Sequence, residues 1–157
     1  MHPNIVDLFY GTIASDSLLK ENFSGLRIGK NMSRRVMART VQGGPGNAMV
    51  VISKQGANPF EWNSGGRAGQ QQQTIRIDVA AKMLEATEAQ ANGPSPPPTA
   101  YDVVEAIKRR LQDLLFSVTY NGTGWINHHE QTDGYPSAPL ASMAYDKLIY
   151  QVWITSG

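Results

Sequence analysis

Residues 99–120 read TAYDVVEAIKRRLQDLLFSVTY, and the fold depends on how they are read. They follow directly on Pro96-Pro97-Pro98. Thr99 is placed to cap a helix, and Asp102, three residues on, supplies the other half of a capping box. Val103, Val104, Ile107, Leu111, Leu114 and Leu115 then recur at helical spacing. Phe116, Val118 and Tyr120 alternate, which is a strand pattern. Most of the remaining chain is strand-like, so this helix is expected to lay its apolar face on a sheet and turn Lys108, Arg109 and Gln112 outward. It would join two β-halves, residues 34–80 and 116–155.

Upstream, Ile5, Leu8, Phe9 and Ile13 form the stripe of an amphipathic helix. Pro3 suits its first position, and Gly11 weakens it by roughly 1 kcal/mol relative to alanine. Ser15 or Asp16 restarts a short turn carrying Leu18 and Leu19. Residues 25–41 are the one basic stretch: Arg27, Lys30, Arg34, Arg35 and Arg39 occur with no acidic residue among them. Val36, Met37, Ala38 and Val41 suggest a strand, paired as a hairpin with residues 48–54. Its arginines read either as a solvated edge or as a contact for an acidic protein or a phosphate. No aromatic residue is interleaved with them, as stacking on single-stranded nucleic acid would need.

Gly43-Gly44-Pro45-Gly46-Asn47 is a turn. It is not a phosphate-binding loop, because the Lys-Ser/Thr pair that should follow is absent. Met49-Val50-Val51-Ile52 reads as a strand buried on both faces. Residues 55–70 read as a long polar loop that contains Arg67, with Phe60 and Trp62 either folded back on the core or presented to a partner. The strand 74–80 has Ile75, Ile77 and Val79 on one face and Arg76 and Asp78 on the other. Residues 82–98 form a Pro-rich spacer with room for a helical turn or two at 83–89, and 121–142 another long loop. Residues 143–155 close the chain as a long strand.

At 157 residues the chain is expected to be one domain. A formal net charge of +1 argues against strong nucleic-acid or membrane-surface binding by the molecule as a whole. With no cysteine, disulfides, thiolate metal sites and cysteine nucleophiles are excluded. The first residues lack the basic start and apolar run of a secretory leader, and no apolar stretch approaches transmembrane length. His128, His129, Glu130 and Asp133 are the only close group of metal-ligand types. Adjacent histidines diverge in both helix and strand, so solvated loop residues are the expectation. No Gly-x-Ser-x-Gly elbow is present. Glu105 and Asp113 lack partner carboxylates of the glycosidase type. No catalytic residue, metal or cofactor is assigned.

The order is helix, hairpin, loop, alternating strand, spacer, central helix, strand, loop and final strand. It resembles the tail terminator, or tail completion, proteins of long-tailed bacteriophages. The resemblance spans residues 5–154. It rests on Ala48-Met-Val-Val-Ile52 with Asn58-Pro59 after it, on Thr74-Ile-Arg-Ile-Asp-Val79, on Ala100-Tyr101 with Ile107 and Leu111, and on Leu148-Ile-Tyr-Gln-Val-Trp-Ile154. The Pro-rich spacer and residues 125–141 are longer than that family needs.

The resemblance implies an α+β fold, a mostly antiparallel mixed sheet with helices packed on one face. It implies a homo-oligomeric ring, a hexamer, in the virion. That ring would cap the head-proximal end of the tail tube and join the tail to the head–tail connector protein. Its partners would be copies of itself, the tube protein and the connector, with no membrane, and DNA would pass through without sequence-specific contact. The protein would be made in the host cytoplasm. Arg34, Arg35, Arg39, Phe60, Trp62 and Arg67 are expected at interfaces. The alternatives are a head–tail connector or neck protein, and a small α+β domain that binds nucleic acid or a ligand.

Overall fold

The computed structural model describes residues 5–23, 25–44, 47–59, 70–82, 89, 92–94, 98–116, 124–131 and 143–155. Its elements are α1 (Ile5–Ala14), α2 (Ser17–Asn22), β1 (Arg27–Lys30), α3 (Arg34–Gly43), β2 (Ala48–Pro59), β3 (Gln70–Lys82), α4 (Ala100–Phe116), β4 (Gly124–Gln131) and β5 (Met143–Thr155). The strands form one five-stranded sheet in the order β1-β2-β3-β5-β4. β1 runs parallel to β2, and the other three pairings are antiparallel. The fold is α+β with a mixed, mostly antiparallel sheet.

Local chemistry starts α2, α3 and α4 where the residue types direct. At α4 the capping box closes reciprocally: the Asp102 N–H donates to Thr99 Oγ1 at 3.2 Å, and the Thr99 N–H donates to Asp102 Oδ2 at 2.9 Å. The Thr99 N–H bond, with the Thr99 side chain assisting, holds the Asp102 carboxyl below its ordinary pKa. At α2 the Leu19 N–H donates to Asp16 Oδ2 at 3.1 Å, and at α3 the Val36 N–H donates to Ser33 Oγ at 3.2 Å.

The basic stretch corrects the sequence reading most sharply. Residues 34–41 are not a strand and form no hairpin with β2. They belong to α3, the crossover of a β1–α3–β2 unit. Met37, Ala38 and Val41 are its buried residues, at i, i+1 and i+4. The parallel β1–β2 pair requires such a crossover, since a tight hairpin joins only antiparallel strands.

The core has two layers, one on each face of the sheet. Val50, Ile52, Ile75, Ile77, Val79, Leu148, Tyr150 and Val152 pack under α1, α2 and α4. Phe9 of α1 meets the Tyr150 ring edge-on, with centroids 5.6 Å apart. On the other face Met49, Val51, Ala80, Met143 and Tyr145 pack under Met37, Ala38 and Val41 of α3. The expectation of helices on one face therefore holds for α1, α2 and α4 and fails for α3. Crossover handedness gives the reason. β3 and β4 are both antiparallel to β5, hence parallel to each other, and α4 crosses between them. Both crossovers step the same way along the sheet, but their strand pairs point oppositely. Right-handed connections then put α3 and α4 on opposite faces.

Three segments read as loops are shorter than expected. Residues 55–59 continue β2, residue 70 opens β3 and residue 82 ends it. Residues 124–131, inside the loop expected at 121–142, form β4 on the sheet edge. Phe116 is the last residue of α4 rather than the start of a strand; Val118 and Tyr120 lie outside the described residues. So do residues 83–88 of the expected helical turn, of which Ala89 is helical. The 13-residue strands β3 and β5 each span about 43 Å, whereas the 17-residue α4 spans about 25 Å. Among the described residues the ladder is therefore longer than its longest helix, and its far end is where Pro59 pairs with Gln71, Gln70 with Thr155 and Gly124 with Ile154.

Asp16 ties the short α2 to α4. Its carboxylate takes both Arg110 Nε, at 2.9 Å, and a second guanidinium nitrogen, at 2.6 Å. The Arg110 hydrogen bond is the main cause of its lowered pKa, with burial opposing and the Leu19 N–H assisting. A carboxyl whose pKa is depressed by folding contributes stability above its unfolded pKa and loses it as pH falls toward the folded value. Asp16→Asn, which keeps a capping oxygen, should therefore be about 1 kcal/mol less stable than the parent at pH 7. The gap should close in acid below the ordinary carboxylate range. Urea midpoints at pH 7 and at pH 3 measure both.

Candidate interaction surface

α3 carries three of the residues expected at an interface, and the fold divides them. Arg34 is half-buried and turned toward the sheet, while Arg35 and Arg39 are exposed. Phe60, Trp62 and Arg67 lie outside the described residues, so nothing joins or separates them from α3.

Asp78, in the middle of β3 and 1% exposed, anchors the basic helix. Its Oδ2 accepts from Arg76 Nε at 2.9 Å, its Oδ1 accepts from the Tyr145 hydroxyl, and Arg34 Nε lies 4.0 Å from Oδ1. The Arg34 guanidinium also stands over the Tyr145 ring, 5.4 Å from its centroid. At the other end of α3 two cations from neighbouring strands meet the last carbonyls. Arg27 of β1 donates to the Thr40 carbonyl, and Lys82 Nζ donates to the Gln42 carbonyl at 3.1 Å. Cations suit the negative end of a helix. Gly44 leaves room for this, because a Cβ there would overlap the Arg27 guanidinium.

With Arg34 and Arg27 engaged from below, the outer side of α3 shows Arg35, Val36 and Arg39, spaced i, i+1 and i+4. Val36 is 45% exposed, one of three large apolar residues exposed among those described; the others are Leu18 and Tyr101. This basic stripe was legible as a charge run, but its helical form was not. The missed signals were Ser33 as a cap and the helical spacing of Met37, Ala38 and Val41.

α4 inverts another expectation. Lys108 is not on its wet face. It is 4% exposed, and its Nζ donates to Asp146 Oδ2 at 2.7 Å beneath the helix and lies 3.5 Å from Glu105 Oε1. Lys108 occupies the inward stripe of Val104, Ile107, Leu111 and Leu115, and Asp146 the inward row of Ala144, Leu148 and Tyr150. Arg110 is drawn to Asp16. Of the basic triplet only Arg109 is exposed, and the helix surface that reads as basic in sequence carries Asp102, Glu105 and Asp113 outward.

The remaining candidates hold no assembled chemistry. A shallow groove of about 640 Å³ between α1 and α4 is lined by Asp7, Leu8, Gly11, Thr12, Ser15, Asp16 and Leu114. Its hydroxyls are spent on helix carbonyls: Thr12 Oγ1 donates to Leu8 O and Ser15 Oγ to Gly11 O. Asp7 pairs with Lys30 at 2.6 Å. His128 and His129 take successive ladder positions in β4, opposite Tyr150 and Ile149. Among the described residues no group of three His, Cys, Asp or Glu could hold a metal ion. No helix among them is long and apolar enough to cross a membrane. No family model matches the chain, and neither does any curated protein.

The two kinds of arginine separate by mutation. Asp78→Ala strands Arg34 and Arg76 beside a buried site and should cost roughly 3–5 kcal/mol in urea unfolding. Arg35→Ala and Arg39→Ala should each stay within about 0.5 kcal/mol of the parent.

Proposed function

We propose that this chain is a structural subunit of a bacteriophage tail. In this reading it assembles into a ring that caps the head-proximal end of the tail tube and meets the head–tail connector. One observation of the fold carries the reading: among the described residues the sheet is longer than any helix packed on it. Strands β2 and β3, at 12 and 13 residues, are about twice the usual length, and β5 matches them. Among the described residues β1 pairs only with Met49–Ile52 of β2, and β4 forms the opposite edge with no further strand beside it. Long strands with open edges are costly for an isolated molecule, because unpaired edge groups invite association. They suit a subunit whose neighbours finish the structure.

The sequence patterns that resemble those of tail terminators support this identity for the assembly, and the fold supports its mechanical logic. A ring forms when a heterologous contact closes on itself, whereas one that does not close extends as a filament. A terminator needs the first geometry on its own edges and a tube-like surface on one end. The sheet end formed by residues 56–59, 70–72 and 153–155 is the natural tube-facing element, since it lies at the far end of the longest strands.

Purified protein should sediment as a closed oligomer whose mass is a small integer multiple of the chain. Added to polymerising tube protein, it should shorten the tubes and appear at one end in electron micrographs. A chain that remains monomeric at about 100 µM and leaves tube length unchanged would overturn the reading. Binding to isolated connector rings without any effect on tubes would move it to the neck.

A further inference from the structure

The two outward helix stripes are complementary, and they lie on opposite faces of one sheet. α3 exposes Arg35, Val36 and Arg39, with no acidic residue anywhere in residues 25–41. α4 exposes Tyr101, Asp102, Glu105, Arg109 and Asp113, spaced i, i+1, i+4, i+8 and i+12 along one side. Arg109 lies between Glu105 and Asp113, so this stripe keeps an acidic excess. Each stripe also carries an exposed large apolar residue: Val36 at 45% and Tyr101 at 55%. Tyrosine and arginine are the residue types enriched where binding energy concentrates, and a tyrosine face attracts a guanidinium.

We infer that the α3 stripe of one copy docks on the α4 stripe of the next. The occupant is a second copy of this chain because the chain supplies both halves of the charge pattern. Arg35 and Arg39, one helical turn apart, would lie along the α4 stripe, whose acidic excess comes from Asp102, Glu105 and Asp113, with Val36 and Tyr101 supplying the apolar contacts. Patches on opposite faces cannot meet their own counterparts in a two-fold dimer, so the contact is heterologous and runs head to tail. This deepens the ring reading and rests on it: the ring needs a repeating, directional contact, and these stripes provide one. Exposed ion pairs are individually weak and screened by salt, so the contact is expected to be salt-sensitive and to act with the sheet edges.

The test is a charge exchange on the full chain, read by analytical ultracentrifugation at low and high salt. Arg35→Glu with Arg39→Glu makes both stripes acidic. Glu105→Lys with Asp113→Lys makes both basic. Each double variant alone should associate about tenfold or more weakly than the parent. Their equimolar mixture should assemble again, because acidic α3 meets basic α4 and basic α3 meets acidic α4 in alternation. Recovery in the mixture also shows that both variants are folded. If each variant assembles as the parent does, copies associate through another surface; this contact is then wrong while the ring reading stands. If the parent itself never associates, both fail. If the parent stays monomeric but binds duplex DNA in a salt-dependent way that Arg35→Glu/Arg39→Glu abolishes, the α3 stripe is a phosphate-binding surface and the self-contact is overturned.

Discussion

Crossover geometry is the constraint from which most of this molecule follows. Two helices carry the chain between parallel strands, α3 from β1 to β2 and α4 from β3 to β4. The two strand pairs point in opposite directions within one sheet. Connections of one hand must then put the helices on opposite faces. The central strands are consequently covered on both sides, which is why Met49, Val50, Val51 and Ile52 are all buried and why their run of apolar residues shows no alternation. Among the described residues the strands are longer than the helices that cover them.

Each face carries a buried acid on the sheet that pairs with cations from the helix above it and, for Asp78, from its own strand. Asp78 does so under α3, with Arg34 and Arg76. Asp146 does so under α4, with Lys108, and its Oδ1 also accepts from the Lys147 N–H at 2.8 Å. Replacing such pairs by well-packed apolar groups is often neutral or stabilising, so their value does not lie in net energy. They determine which charges remain outside. Asp146 and Asp16 take Lys108 and Arg110 off the surface of α4 and leave it acidic. Asp78 takes only Arg34 from α3, leaving Arg35 and Arg39 in solvent. A formal net charge of +1 conceals this separation, because a total says nothing about which charges face each other inside.

Much of the fold was legible in the sequence where one local rule dominated. The Thr99–Asp102 box marked the start of α4, and alternation marked β3 and β5. The strand pattern at Val36-Met37-Ala38 misled because three successive apolar residues fit either period, and only Ser33 and the parallel β1–β2 pairing decide for a helix. β4 was missed because Gly-Trp-Ile-Asn-His-His-Glu-Gln does not alternate; its strand state is imposed by pairing with β5 rather than by its own residues. Lys108 could have been placed inside. It lies four residues after Val104 and three before Leu111, on the stripe that had already been identified as buried. A charge there calls for a counter-charge on the sheet, and Asp146, in phase with Ala144 and Leu148, is where alternation puts one. The candidate surface was legible only in part: the arginines were found, but their division into anchor and display needed the register of β3 against α3.

The first turn of α3 shows why that display is a feature of the surface rather than a by-product of folding. Arg34 and Arg35 occupy it with no acidic residue beside them, and the last turn carries no basic residue of its own. The two arginines oppose the helix dipole at its N-terminus, at roughly 0.3–1 kcal/mol each, and the C-terminus has no cation of its own. The C-terminal deficit is made good from outside by Arg27 and Lys82, and Arg34 is offset by Asp78. Arg35 remains exposed at a position where glutamate would suit the helix better. Natural sequences are usually consistent from local preference to global fold, and the places where they are not tend to be where function imposes its own demand. By that standard the exposed arginine on α3 calls for an acidic surface outside the helix, and a stripe with an acidic excess is present on the far face of the same chain.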